Sequence, residues 1–198
     1  MTQQTIPHGR GFCVGDSLPL GTGRRSALAT PALCAYANDI KTQSLQPSLT
    51  PSAELQLLNV FVGKWPTEGL SYGSGQSYEN PYDSPVRWLG AETYEWLPGG
   101  FFLVRRFNGQ IGDIPISGME TIGYDAASQT YPSQMFDNYG RIHLGQRRFH
   151  DGIWSYTGAE YRATYTFRND GNNLATHWEW LCKDNWSVLM DSEGTKVE

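Results

Sequence analysis

The chain has 198 residues, 13% of them aromatic, and a formal net charge of −5. That length allows one ordinary domain with residues to spare. The acidic balance excludes a sequence-independent nucleic-acid binder, which needs a basic footprint, and no apolar run approaches the roughly 18 residues of a membrane-spanning helix.

The spare length lies at the front. The first fifty residues hold only two aromatics, Phe12 and Tyr36, and are rich in Ser, Thr, Gly and Pro. Such a segment cannot bury enough apolar surface to offset its ordering entropy. Residues 1–50 are therefore expected to be a disordered extension, and residues 51–198 the domain. Arg10, Arg24 and Arg25 mimic a transit peptide, but an amphipathic arginine face and a signal-type apolar core are both missing. Cys13, Cys34 and Cys182 are scattered, with neither a disulfide framework nor zinc spacing. A reduced, cytoplasmic compartment is the expectation.

Ser52 opens a short helix: it can cap, and Glu54 favours the positive end. Leu55, Leu58 and Phe61 then fall on one face, and Gly63 ends the helix. From Lys64 onward the period changes to two, and turn clusters recur about every ten residues. "GAETYEWL" turns through "PGG" into "FFLVRRFNG". "ISGMETIGY" turns through "DAASQ" into "TYPSQMF". "DNYGR" leads into "IHLGQRRF", "HDG" into "WSYTGAEYRATYTF", "RNDGNN" into "LATHWEWLC", and "KDN" into "WSVLMD". The clusters supply Gly, Asp or Asn where φ must be positive. This predicts an all-β, antiparallel meander of eight to ten strands behind one helix. A meander of that length removes its two edges by closing into an up-and-down barrel.

Alternation then sorts side chains by face. Tyr161, Ala163, Tyr165 and Phe167 share one side of their strand; Glu160, Arg162, Thr164 and Thr166 share the other. His177 and Glu179 point one way, Trp178 and Trp180 the other. If His177 and Glu179 face inward, they set a base and an acid in an apolar cavity; the two tryptophans favour the opposite register. In "ETYEW", Glu92 shares a face with Tyr94 and Trp96, and Glu95 lies opposite. One of these glutamates faces the interior, where it needs a cation, Arg105 or Arg106. Arg147 and Arg148 read as a solvated strand face. His143 and His150 have no ligand spacing around them, so no metal and no cofactor are expected.

The stretch "LNVFVGKWPTEG" runs from a helical pattern into a strand through Gly63-Lys64-Trp65. It resembles the Gly-X-Trp signature of lipocalins and the wider calycin superfamily. With "ETYEWLPGGFFLVRR", "GMETIGYD" and "DGNNLATHWEW" it is similar to an uncharacterised, mainly bacterial family of lipocalin-like domains of unknown function, over about Ala53 to Asp191. The resemblance implies a calycin-type barrel. It implies that Gly63 turns the chain sharply and that Trp65 plugs the closed end, covered by an arginine of a late strand, Arg162 first and Arg168 second. It carries no activity. Because some lipocalin-like relatives hold haem through a histidine near the C-terminal end, and none follows His177, haem is disfavoured. After Met190 the chain is more polar than the family pattern, which puts the last strand in question.

Three functions fit. The leading one is binding of a small apolar or aromatic molecule inside the barrel, lined by Tyr94 and Trp96 and oriented by Glu95, Arg105 or His177. The second is a cofactor-free isomerase, cyclase or lyase using His177 and Glu179. The third is a filled barrel serving as an interaction domain. The expected partner is a small apolar molecule, with no nucleic acid and no membrane; a homodimer stays open.

Overall fold

The computed structural model describes residues 50–73, 80–182 and 184–197. The expectation for residues 1–49 lies outside them. The helix α1 spans Ala53–Leu57 and continues as a 3-10 turn over Leu58–Val60. Ser52 takes the extended N-cap conformation but makes no side-chain capping bond. Leu55, Leu58 and Phe61 are all buried, as their spacing predicts.

Ten antiparallel strands follow: β1 (Gly63–Ser71), β2 (Val86–Trp96), β3 (Leu103–Ile111), β4 (Ile114–Ile122), β5 (Tyr131–Asp137), β6 (Ile142–His150), β7 (Ile153–Gly158), β8 (Tyr161–Arg168), β9 (Asn173–Cys182) and β10 (Asn185–Thr195). Each pairs with its sequence neighbours, and β1 pairs with both β2 and β10, so the sheet closes as an up-and-down barrel. Closure leaves no unpaired edge. The "HDG" hairpin turns through Asp151 and Gly152, both at positive φ, the combination whose twist matches the flanking strands. "WSYTGAEYRATYTF" is two strands, β7 and β8, rather than one run. The questioned last strand extends to Thr195. Its polar Ser192 is buried and shares a 2.7 Å hydrogen bond with Thr176 on β9.

The helix seals one end of the barrel. The Phe61 ring lies 4.9–5.7 Å from those of Phe167, Trp154, Tyr94 and Tyr165. Trp65 is fully buried, and its Nε1 donates to the Phe61 carbonyl at 2.7 Å. Tyr131 Oη donates to the Glu54 carbonyl at 2.9 Å, pinning the helix from β5. Gly63 has φ +132, a conformation that side chains resist. It turns the chain into β1 as expected. The cation over Trp65 is neither Arg162 nor Arg168. It is Lys196, whose Nζ sits 5.0 Å from the ring centroid and 3.2 Å from the Val60 carbonyl. Arg168 is exposed. Lysine arrives here because the chain runs past the closed end just after β10, where Val197 bridges back to Lys64.

Among the described residues no helix is long and apolar enough to cross a membrane.

Candidate functional site

The barrel interior changes character along its axis. At the helix end, inward side chains from Trp65, Tyr94, Leu103, Ile122 and Trp154 are at most 1% exposed. At the other end, inward Met135, His143, Tyr161, Trp178 and Met190 are only partly buried. These side chains point into a closed barrel, so the surface they keep opens on the lumen or its mouth.

Aromatic rings in the open half lie along the wall. A side chain at Gly90 would strike the Trp88 ring, and one at Gly145 the Tyr156 ring. Each glycine makes room for a ring laid flat on the sheet, a packing known to compensate for glycine in strands. Trp88 is held there by its Nε1, which donates to Thr67 Oγ1 at 3.1 Å.

Between the two halves runs a layer of four buried charges. Arg105 lies directly opposite Glu120 across β3 and β4. Its Nε donates to Glu92 Oε2 at 2.8 Å, and its Nη1 reaches Glu120 Oε2 at 3.4 Å. Arg147 Nη2 donates to the same Glu120 oxygen at 2.8 Å. Tyr94 Oη adds a bond to Glu92 Oε2 at 2.9 Å. The Arg147 guanidinium is flanked by the Tyr165 ring at 4.6 Å and the Phe61 ring at 5.2 Å. The layer is charge-balanced: two carboxylates, two guanidiniums.

Burial by itself favours the neutral form of a carboxylate or a guanidinium. For Glu120 the opposing charges of Arg147 and Arg105 win, with help from Ser133, and hold its carboxyl below the usual carboxylate range. Burial works against the charge on Arg105 and Arg147 too, but Glu92 and Glu120 respectively overcome it. Burial pushes the Tyr94 and Tyr165 phenols up, and the Tyr156 phenol to about 12, so all three stay protonated donors at neutral pH.

Placement of the sequence candidates is mixed. Tyr94 and Arg105 lie in the charged layer. Trp96 is at the closed end, its Nε1 donating to Asn59 Oδ1 at 2.8 Å. Glu95 is exposed and paired with Arg106; its neighbour Glu92 is the inward glutamate. His177 and Glu179 are on the outside. Their partners across β8 are Thr164 and Arg162, which alternate with inward Ala163 and Tyr165. His177 Nδ1 meets Asp191 Oδ1 at 2.6 Å. Arg162 grips Glu179 through two bonds of 2.6 and 2.8 Å and lies 4.6 Å over the Trp186 ring. An outer groove of about 1140 Å³ runs past His177 and Asp191. Among the described residues no group of three or more His, Cys, Asp or Glu could hold a metal.

Glu120 and Arg147 escaped the sequence reading. Arg147 read as solvated, yet it is fully buried while Arg148 is exposed. The apolar residues of β6 misled: Ile142 and Leu144 are 61% and 65% exposed. A signal was present in the glycine, since Gly145 and Arg147 share the inner face, where glycine leaves room for Tyr156.

The family model described as "Protein of unknown function (DUF1579)" matches residues 50–195. The chain belongs to the DUF1579 family. The match takes in the helix, all ten strands and the charged layer. No curated protein matches the chain. Among solved structures, a de novo designed fluorescence-activating beta barrel is 14% identical over 70% of this chain and 95% of its own, with a TM-score of 0.36. At that identity and score the likeness carries no function over to this chain.

Proposed function

We propose that this DUF1579 barrel binds a small, mainly apolar or aromatic molecule in the open half of its lumen. The observation that carries this is the contrast inside one closed barrel. Trp65, Tyr94, Leu103, Ile122 and Trp154 are sealed at the helix end, whereas beyond the charged layer Met135, His143, Tyr161, Trp178 and Met190 keep some exposure beside the buried rings of Trp88 and Tyr156. Rings laid over wall glycines offer flat apolar surface, and the buried charges supply fixed polar groups, the usual make-up of a small-molecule site. A filled interaction barrel has no use for four buried charges, which rarely add stability over an apolar core. The short helix entering Gly63-Lys64-Trp65 supports a lipocalin-like reading of the fold.

The proton-transfer alternative loses its premise, because His177 and Glu179 do not face the lumen. The test is a titration of full-length protein with apolar aromatic probes, read by tryptophan emission. Binding of about micromolar Kd, near 8 kcal/mol, is expected, with Trp178 as the main reporter. Ala163→Phe, on the inner wall beside Trp178, should abolish it while melting stays cooperative. Quenching that survives Ala163→Phe would place the ligand elsewhere.

A further inference from the structure

The charged layer holds donors that its own acceptors do not use. Arg147 spends Nη2 on Glu120, while its Nε and Nη1 have no hydrogen-bond partner among the described residues, although the side chain is fully buried. Tyr165 Oη, beside it and 2% exposed as a residue, has none either. Leaving such groups unmet is destabilising, because each gave up water on burial and gained no partner. Two residues in contact, from β6 and β8, both carry this deficit on the inner face of the barrel.

The charge count narrows what could meet it. Glu92, Glu120, Arg105 and Arg147 already sum to zero. A ligand carboxylate would bring an unbalanced charge into a buried layer, which is costly. A ligand ammonium would find donors where it needs acceptors. A neutral oxygen acceptor satisfies the donors and keeps the balance.

We infer that the lumen takes its ligand through a neutral carbonyl-type oxygen, that of an aryl ketone, amide or ester, received by Arg147 and Tyr165. This rests on the reading of the lumen as a binding cavity. Because Arg147 is fully buried, the oxygen reaches it by displacing a packed side chain. Tyr165 is the one with least to lose: its ring covers the guanidinium, and its hydroxyl gives up no hydrogen bond by moving. Trp178 packs edge-on to that ring at 5.9 Å and keeps some exposure, so its emission reports the displacement.

Three matched probes test this on the full chain: 2-acetylnaphthalene, 2-ethylnaphthalene and sodium 2-naphthoate. The ketone should bind about tenfold or more tighter than the ethyl compound, and the carboxylate more weakly than the ketone. The bound ketone's carbonyl stretch should move to lower frequency. Tyr165→Phe should shrink the ketone-to-ethyl ratio, and Glu120→Gln/Arg147→Met, which keeps the layer neutral, should bring it to about one and erase the infrared shift. Equal binding of ketone and ethyl probes would overturn the inference and leave the cavity standing. Tightest binding by the naphthoate would overturn the charge argument. No binding by any probe would overturn the cavity reading itself, and with it this inference.

Discussion

The two halves of the lumen are built from the same residue types and do opposite things. At the helix end, Phe61, Trp65, Trp154 and Phe167 meet edge to face and fill the barrel. Beyond the charged layer, Trp88, Tyr156 and Trp178 are spread on or near the wall. The difference lies in what stands opposite each ring. The helix inserts a second set of apolar side chains into the closed half. In the open half, no element among the described residues enters the barrel, and glycines let the rings recline. Aromatic content alone therefore says nothing about whether a barrel is full.

That contrast can be broken most forcefully at the plug. Trp65→Ala removes a fully buried ring from a packed end and should cost about 3–5 kcal/mol in denaturant unfolding. Trp178→Ala, on the partly exposed side, should cost less than half as much. Equal losses would show that the open half is packed as tightly as the closed one.

The layer between the halves comes next. Arg147→Met leaves Glu120 short of a buried partner and should cost about 3–5 kcal/mol, with Glu120→Gln added to it restoring most of the loss. On the surface, Arg106→Ala breaks the exposed pair with Glu95 and should cost no more than about 1 kcal/mol. A chemical-unfolding series on these variants separates the two environments. A loss near 1 kcal/mol for Arg147→Met would mean that solvent reaches the layer freely.

Acid titration sharpens the same point. Glu120 is held below its ordinary value of 4.5 in the folded chain, so its contribution is present above that value. It should be lost as pH falls from there through the lower folded value, because the unfolded chain then binds the proton first. Glu120→Gln should flatten this part of the stability curve. An unchanged acid limb would move the acid sensitivity elsewhere. The smallest effect is expected outside the barrel: Glu179→Gln should shift stability by less than about 1 kcal/mol and leave probe quenching intact. A large loss of quenching would return Glu179 to the binding site.

Much was legible from sequence because it rests on local chemistry. The helix-to-strand switch at Gly63 shows in a period change from three-four to two, and Gly63 itself in a φ that only glycine takes easily. Turn clusters with Asp, Asn and Gly mark the hairpins, and the length of the meander calls for closure. The inward row on β8 follows from alternation, since Tyr161, Ala163, Tyr165 and Phe167 are less polar than their neighbours. Alternation failed where both faces of a strand carry mixed residues. On β6, exposed Ile142 and Leu144 stand opposite inward His143, Gly145 and Arg147, so the apolar count named the wrong face. On β2, Glu92 and Glu95 were symmetric choices until register set Tyr94 opposite Arg105. Lys196 and the Glu92–Arg105–Glu120–Arg147 layer were beyond local reading. They join residues 13 to 136 positions apart, and a period of two reports only which side a residue faces, never which residue from another strand it will meet there. That meeting is decided by barrel closure and strand stagger, which exist only once all ten strands are in register.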